Sequence, residues 1–322
     1  MKTRPFGKTG LEVSELALGG GAVGGLLIDA EEEVKHQVID MALSAGINWI
    51  DTAPSYGQGR SEESLGRLLK KETRNPFIST KFTIDTRNPD IRGQIEFSLE
   101  ASLQRLQRNS VTLLQIHNPI GPISEGRQLG LAEILKPHGV LDVLDDLRSQ
   151  GMIHLSGITA LGDTNAIIKV IKSNRIDSAQ VYYNLLNPSA GFTPPPGWPC
   201  HNFTSIMDTC REHDVAIMNI RVFSAGVIAT DTRTGKERPL TPGDTVESET
   251  EKAARIFSEI GTDYGTRAQT ALRFALTQSK TATIIFGLAN ISHLQEALTG
   301  LEKGPLPDEA VGRIIQIYKD YR

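Results

Sequence analysis

The 322-residue chain has little cysteine: two residues, Cys200 and Cys210. Two thiols exclude a disulfide framework and suit a reducing compartment. No apolar run approaches the ~20 residues of a membrane span. The opening Met1-Lys2-Thr3-Arg4-Pro5-Phe6 lacks the apolar core of a signal peptide. Charge of one sign is also missing. The net charge is -4, with both signs spread along the chain, which excludes the basic footprint of a nucleic-acid or membrane-surface binder. There is no repeat or low-complexity tract. His36, His138, His154, His201, His213 and His293 show no metal-ligand spacing, and no metal is expected. A hydrophobic share of 39% is normal for a globular protein. The expectation is a soluble cytoplasmic protein whose partner is a small molecule.

What is present is alternation. Phe6 to Val13 reads as a small hairpin with Gly7 to Gly10 as its turn. Strand-like runs then follow at Leu16–Gly19, Ile47–Asp51, Phe77–Lys81, Val111–His117, Ile153–Ile158, Ser178–Tyr183, Val215–Ile220 and Ala282–Phe286. Between them lie stretches with helical periodicity, among them 91–106, 140–149, 165–171, 202–212, 253–260 and 267–277. Ser61 is placed to cap the helix after Asp51, and Ser292 and Gln295 have capping-box spacing. Eight short Val/Ile/Leu-rich strands alternating with helices predict a parallel sheet covered by helices. With no break in composition, one α/β domain over 1–322 is expected: a (β/α)8 TIM barrel with an N-terminal β-hairpin cap. A doubly wound sheet is the alternative, but no G-x-G-x-x-G follows the first strand. Three connections, 118–139, 185–201 and 221–248, are long. Each follows a strand, so each belongs to the C-terminal face, where long loops serve as lids or substrate loops.

Chemistry concentrates at the strand ends. Asp51, Lys81 and His117 each end an apolar run, and they are 30 and 36 residues apart. That spacing fits one strand-helix unit between each pair and brings all three to one rim. Tyr56 follows Asp51 in Asp51-Thr52-Ala53-Pro54-Ser55-Tyr56-Gly57-Gln58-Gly59-Arg60-Ser61-Glu62. Tyrosine, with a pKa of ~10, is a proton donor at neutral pH, and a nearby ammonium favours its phenolate. Lys81 can supply that charge, Asp51 can orient Lys81, and His117 can bond a substrate oxygen or join the proton transfer. Such a set protonates an oxygen while hydride attacks carbon. None of these side chains carries hydride, so a nicotinamide, NADP(H) or NAD(H), is implied.

These residues, and the segment from Asp51 to Gly66 above all, resemble the aldo-keto reductases. The resemblance runs from Phe6-Gly7-Lys8-Thr9-Gly10 to the helix after Gly287, and the Asp51 segment also looks like the branch with aldose 1-dehydrogenases and pyridoxal dehydrogenases. It implies a catalytic tetrad of Asp51, Tyr56, Lys81 and His117, with Tyr56 as general acid in reduction and base in oxidation. It also implies a set of cofactor residues. Thr159, followed by Ala160, stands where the family commonly has Ser-Asn for the carboxamide. Gln180 matches the family's glutamine, Arg221 a position against the nicotinamide ring, and Ser224 and Gly226 a pyrophosphate loop. Gly287 and His293 flank the last phosphate-binding turn, and Gly20 and Gly21 lie in the glycine-rich turn after the first strand. Asn118 and Trp198 are assigned to the substrate. Around Gly287-Leu288-Ala289-Asn290 there is no Lys or Arg to grip a 2′-phosphate, which points to relaxed or NAD-leaning specificity. The implied activity is hydride transfer between nicotinamide and an aldehyde, ketone or sugar. Oxidation of a sugar hemiacetal to a lactone is the second reading. A nicotinamide-binding regulatory subunit, and a Schiff-base lyase using Lys81, are rivals from other classes.

Overall fold

A computed structural model describes residues 1–233, 235–239, 241 and 243–319. The N-terminal hairpin pairs β1 (Thr3–Pro5) with β2 (Glu12–Ser14). The main chain then runs β3 (Leu16–Gly19), α1 (Leu26–Asp29), α2 (Glu32–Ser44), β4 (Trp49–Asp51), α3 (Arg60–Leu68), β5 (Phe77–Phe82), α4 (Ile91–Leu106) and β6 (Val111–Ile116). A two-residue parallel ladder of β7 (Ile120–Gly121) and β8 (Leu129–Gly130) precedes α5 (Leu131–Leu135) and α6 (Val140–Ser149). The second half runs β9 (Ile153–Thr159), α7 (Thr164–Lys172), β10 (Ser178–Tyr182), α8 (Ile206–Glu212) and β11 (Ala216–Ile220). It ends with α9 (Val246–Ile260), α10 (Arg267–Leu276), β12 (Thr283–Gly287), α11 (Ile291–Glu302) and α12 (Asp308–Lys319). Eight parallel strands close in the order β10-β11-β12-β3-β4-β5-β6-β9, so the fold is the expected (β/α)8 barrel.

The barrel is apolar at its lower end and polar at its mouth. Inward-facing Ala17, Trp49, Leu113 and Met218 form the lower layer, which Phe6 of the hairpin closes by stacking on Trp49 at 4.7 Å between ring centroids. Gly7 is obligatory there, since its φ is +56° and a Cβ would lie 2.4 Å from the Asp214 carbonyl. The second core lies between the strands and the helices. Val38, Ile39, Ala42, Leu99, Leu103, Ile167, Val170 and Ile171 present the apolar faces of their helices to it.

Several local expectations are corrected. Ser61 does not cap α3. The cap position is Gly59 at φ +92°, and the Ser61 hydroxyl instead bonds that of Thr52 at 2.8 Å. The expected Ser292–Gln295 box is also replaced, because Asn290 caps α11 by accepting from the His293 amide. Helix α8 starts four residues late, after Ser205 at φ +72°, while α9 starts seven residues early through a Thr245–Ser248 capping box. Loop 118–139 contains the β7–β8 ladder and α5 rather than bare coil. In loop 221–248, residues 234, 240 and 242 lie outside the described residues. No helix among the described residues is long and apolar enough to cross a membrane.

Helices α3 and α4 touch at Gly66, where an added Cβ would come within 2.3 Å of the Arg105 carbonyl oxygen. A backbone cannot move aside as a flexible side-chain end can. We expect Gly66→Ala to cost about 1–3 kcal/mol, the usual penalty for overpacking. A lowered urea midpoint with unchanged slope is the signature, and an unchanged midpoint would contradict the close approach.

Candidate active site

The mouth of the barrel is built from the ends of β4, β5 and β6. Asp51 pairs in register with Ser79, and Lys81 with Gln115. Side chains alternate along a strand, so Ser79 and Lys81 face inward together, as do Trp49 and Asp51. The ammonium of Lys81 donates to Asp51 Oδ2 at 2.6 Å, to the Thr52 carbonyl at 2.7 Å and to Tyr56 Oη at 3.2 Å. All three donor hydrogens are thereby used. Asp51 Oδ1 accepts from Ser79 Oγ at 2.7 Å, from Gln180 Nε2 at 2.7 Å and, more weakly, from Gln115 Nε2 at 3.4 Å. Ser79 is itself held by the indole N–H of Trp49 at 2.9 Å. Asp51 and Lys81 are both buried.

Tyr56 reaches this pair because its loop turns sharply. Gly57, Gln58 and Gly59 all have positive φ, and a Cβ on Gly57 would meet Ile28 Cγ2 at 2.7 Å. The Tyr56 and His117 rings meet edge-on, with centroids 6.0 Å apart. The tetrad read from the sequence is therefore assembled in one place.

Its protonation states follow from burial and charge. Burial raises the Tyr56 pKa above the ordinary tyrosine value, although Lys81 pulls the other way. Burial also works against the Lys81 ammonium, but Asp51 and Tyr56 outweigh it and hold the pKa above the usual lysine value. Burial and then the charges of Lys81 and Arg127 push His117 down to about 3. At neutral pH Lys81 is an ammonium, Tyr56 a protonated phenol and His117 a neutral imidazole.

The other residues singled out from the sequence scatter. Thr159 is buried, and its hydroxyl has no partner among the described residues. Arg221 sits at φ +61°, pinned through its carbonyl by Asn184 Nδ2 at 2.7 Å; its Nε is buried without a partner among the described residues. Gly21 is open above the Tyr56 ring, and Gly226 and Gly287 leave backbone clear of close neighbours. His293 Nδ1 accepts from the Ala289 amide at 3.3 Å, which ties it to the loop before α11. Four further residues are engaged within the protein. Gly20 packs against Ser61 and Leu27 in the wall, where a Cβ would lie 2.5 Å from Ser61 Oγ. The Ser224 hydroxyl donates to Glu249 Oε2 at 2.7 Å. Asn118 is fully buried, with its side chain spent on both backbone groups of Ile84 and on the Arg127 carbonyl. Trp198 rests edge-on against Tyr318 of α12 and anchors its loop.

Sequence reading missed Ser79 and Gln115. Each lies two residues before a tetrad member, and the period of two alone would have placed them on the same face. It also missed a brace behind Lys81, in which Glu62 accepts from Thr80 Oγ1 at 2.5 Å and from Arg105 Nε at 2.8 Å.

A barrel with this mouth defines a class, and the comparisons with known proteins agree on it. Residues 15–319 match the model of the aldo/keto reductase family. The chain belongs to that family of oxidoreductases. It is 35% identical over 146 residues to aldo-keto reductase YhdN of Bacillus subtilis (strain 168), a match that spans 42% of this chain and 43% of that protein. It is 27% identical over 248 residues to D-threo-aldose 1-dehydrogenase of Pseudomonas sp, covering 68% of this chain and 69% of that one. Among solved structures, the holo form of aldo-keto reductase AKR11C1 from Bacillus halodurans superposes with a TM-score of 0.74 at 23% identity, over 99% of this chain and 96% of that one; this likeness speaks for the fold.

A nicotinamide dinucleotide, the cofactor of this family, fits the residues present. The unpartnered Thr159 hydroxyl, the unpartnered Arg221 Nε and the open backbone at Gly226 and Gly287 offer the hydrogen bonds and clearance it needs.

The depressed His117 pKa has a consequence for stability. The unfolded chain binds a proton below the ordinary histidine pKa of ~6.5, whereas the folded site stays neutral down to about 3. Between these values the unfolded state holds more protons, so stability is lost as pH falls through the window. His117→Gln is expected to flatten this acid-side slope of urea stability. An unchanged slope would mean that other groups carry it.

Proposed function

We propose that the protein moves hydride between a nicotinamide and an aldehyde, ketone or sugar carbon, with Tyr56 as the proton donor and acceptor. The Lys81–Tyr56 contact at 3.2 Å, backed by the buried Asp51–Lys81 pair, is the observation that carries this reading. The bound nicotinamide supplies hydride in reduction and takes it in oxidation. Tyr56 gives its phenolic proton to the carbonyl oxygen, and Lys81 and Arg221 stabilise the phenolate left behind. His117, neutral and edge-on to Tyr56, donates a hydrogen bond to the same oxygen and orients it. Thr159 and Gln180 hold the carboxamide. Gln180 spends one of its two amide N–H groups on Asp51, which fixes the orientation of the amide and leaves the other N–H and the carbonyl oxygen for the carboxamide. Gly226 and Gly287 receive the phosphates.

Oxidation of a sugar is the second reading, favoured by the similarity to the protein named D-threo-aldose 1-dehydrogenase. The two directions need opposite forms of Tyr56. Because its pKa is raised, reduction should be flat through neutral pH and fall only at alkaline pH, while oxidation should rise across the same alkaline range. Rates measured in both directions over aldehyde and sugar panels decide which is faster at neutral pH.

Tyr56→Phe should lower kcat by ~10²–10⁴-fold, the usual contribution of a general acid-base group, and leave nicotinamide affinity within about twofold by fluorescence titration. A fully active variant would refute the role of Tyr56.

We also infer relaxed or NAD-leaning specificity. Arg267, the cation at the start of α10, is committed to the Ile228 and Val227 carbonyls and to Asp231, and His293 is tied to its own loop. A charge-assisted bond to a 2′-phosphate would favour NADPH by roughly 10- to 100-fold. We expect the NADH and NADPH dissociation constants to lie within about tenfold of each other; a 100-fold preference for NADPH would overturn this inference.

A further inference from the structure

We propose that Arg127 makes this mouth selective for substrates that carry an oxyanion, a carboxylate or phosphate, beside the reacting carbon. This rests on the reading of the mouth as a carbonyl or alcohol site. The loop that carries Arg127 leaves the barrel directly after His117 and is tied back to it. Asn118 Nδ2 donates to the Arg127 carbonyl at 2.9 Å, while the rest of the amide grips Ile84, two residues past the end of the neighbouring β5. The Leu129 amide donates to the Pro119 carbonyl at 2.8 Å, and Thr86 Oγ1 to the Gly126 carbonyl at 3.0 Å. Glu125 and Gln128 exchange both backbone hydrogen bonds, at 3.1 and 2.8 Å. Arg127 is thus fixed at its backbone on the rim beside the catalytic histidine.

Its side chain is treated differently. It is exposed and makes no hydrogen bond or ion pair among the described residues. Of the carboxylates on this connection and on the one after β5, Glu133 accepts from Ser124 Oγ and Asp90 from the Gly93 amide, each at 2.8 Å. Asp85 is taken by Arg87 at 2.9 Å, and Glu125 does not pair with Arg127. The charge of Arg127 is nonetheless felt at His117, where it helps to hold the imidazole neutral. The charges around it do not cancel it. Lys81 is balanced by Asp51, and Tyr56 and His117 are neutral. Two guanidinium charges reach the tetrad: Arg221, which acts on Tyr56 and donates to the Arg238 carbonyl, and Arg127, which acts on His117 and has no partner among the described residues. The planar fork of Arg127 matches carboxylate or phosphate with two parallel hydrogen bonds.

The test compares matched substrates, 4-carboxybenzaldehyde with 4-cyanobenzaldehyde and glyceraldehyde 3-phosphate with glyceraldehyde, on the full chain and on Arg127→Ala and Arg127→Lys. The expected result is a KM ratio, anionic over neutral, that rises roughly 10- to 100-fold in Arg127→Ala, the span of a lost charge-assisted bond. Arg127→Lys should lie between, with the loss growing smaller as salt is raised. The pair that shows the rise tells carboxylate from phosphate. A ratio unchanged for both pairs overturns the proposal, as does a variant that weakens NADH binding instead. The same variants are titrated calorimetrically with benzoate and with inorganic phosphate in the presence of NADH. Loss of this binding in Arg127→Ala supports the anion site even if no carbonyl is turned over, a failure that would then count against the hydride-transfer reading alone. Absence of binding in the parent protein, together with an unchanged ratio, removes the anion site alone.

Discussion

The buried ion pair of Asp51 and Lys81 is the constraint on which the mouth of this barrel depends. Two charges removed from water cost several kcal/mol each unless every donor and acceptor is met. Here the neighbourhood meets them. Ser79, Gln180 and Gln115 serve one carboxylate oxygen, and Lys81, whose third hydrogen goes to Tyr56, serves the other. The polar side chains inside the upper barrel are explained by this requirement before any catalytic role is considered. The apolar layer below, sealed by Phe6 on Trp49, keeps the pair in a medium where an ammonium 3.2 Å from a phenol has a strong effect.

The same constraint governs the loops. Tyr56 must return to Lys81 within five residues of Asp51, which demands the run of positive φ at Gly57, Gln58 and Gly59. The helix that follows begins at Gly59 without a side-chain cap. It is held instead by Ser61 on Thr52 and by Glu62 on Thr80 and Arg105. Those contacts tie the start of α3 to the strand residues on either side of the ion pair. Helix-end convention yields here to the geometry of the site.

What could be read from the sequence follows from this hierarchy. Strand-helix alternation and the rim positions of Asp51, Lys81 and His117 are local in period, and local period is visible in a linear string. Cofactor and substrate residues were harder, because their side chains are placed by partners far away in the chain. Asn118 looks like a rim residue until Ile84 and Arg127 claim its amide. The Ser224 hydroxyl is engaged by Glu249, on a helix that starts earlier than its periodicity suggests. Trp198 looks like a pocket wall until Tyr318, near the end of the described chain, receives its ring. In each case a hydrogen bond or packing surface at long sequence separation outweighed what neighbours in sequence imply. Arg127 is the converse, since its side chain has no partner among the described residues, and the lack of one leaves no mark on a sequence.

The barrel closes where β12 lies beside β3, with Ile285 opposite Ala17 and Gly287 opposite Gly19. The first and last barrel strands come from nearly opposite ends of the chain. During synthesis β3 therefore waits, its edge unpaired, until almost the whole protein has been made. Contacts so distant in sequence are slow to form, and an open strand edge invites pairing with other chains. The hairpin of β1 and β2 is already available in that interval, and Phe6, once stacked on Trp49, gives the early strands an apolar anchor before the last strand arrives. The piece that seals the finished barrel from below is thus also the first piece able to shield the unfinished one.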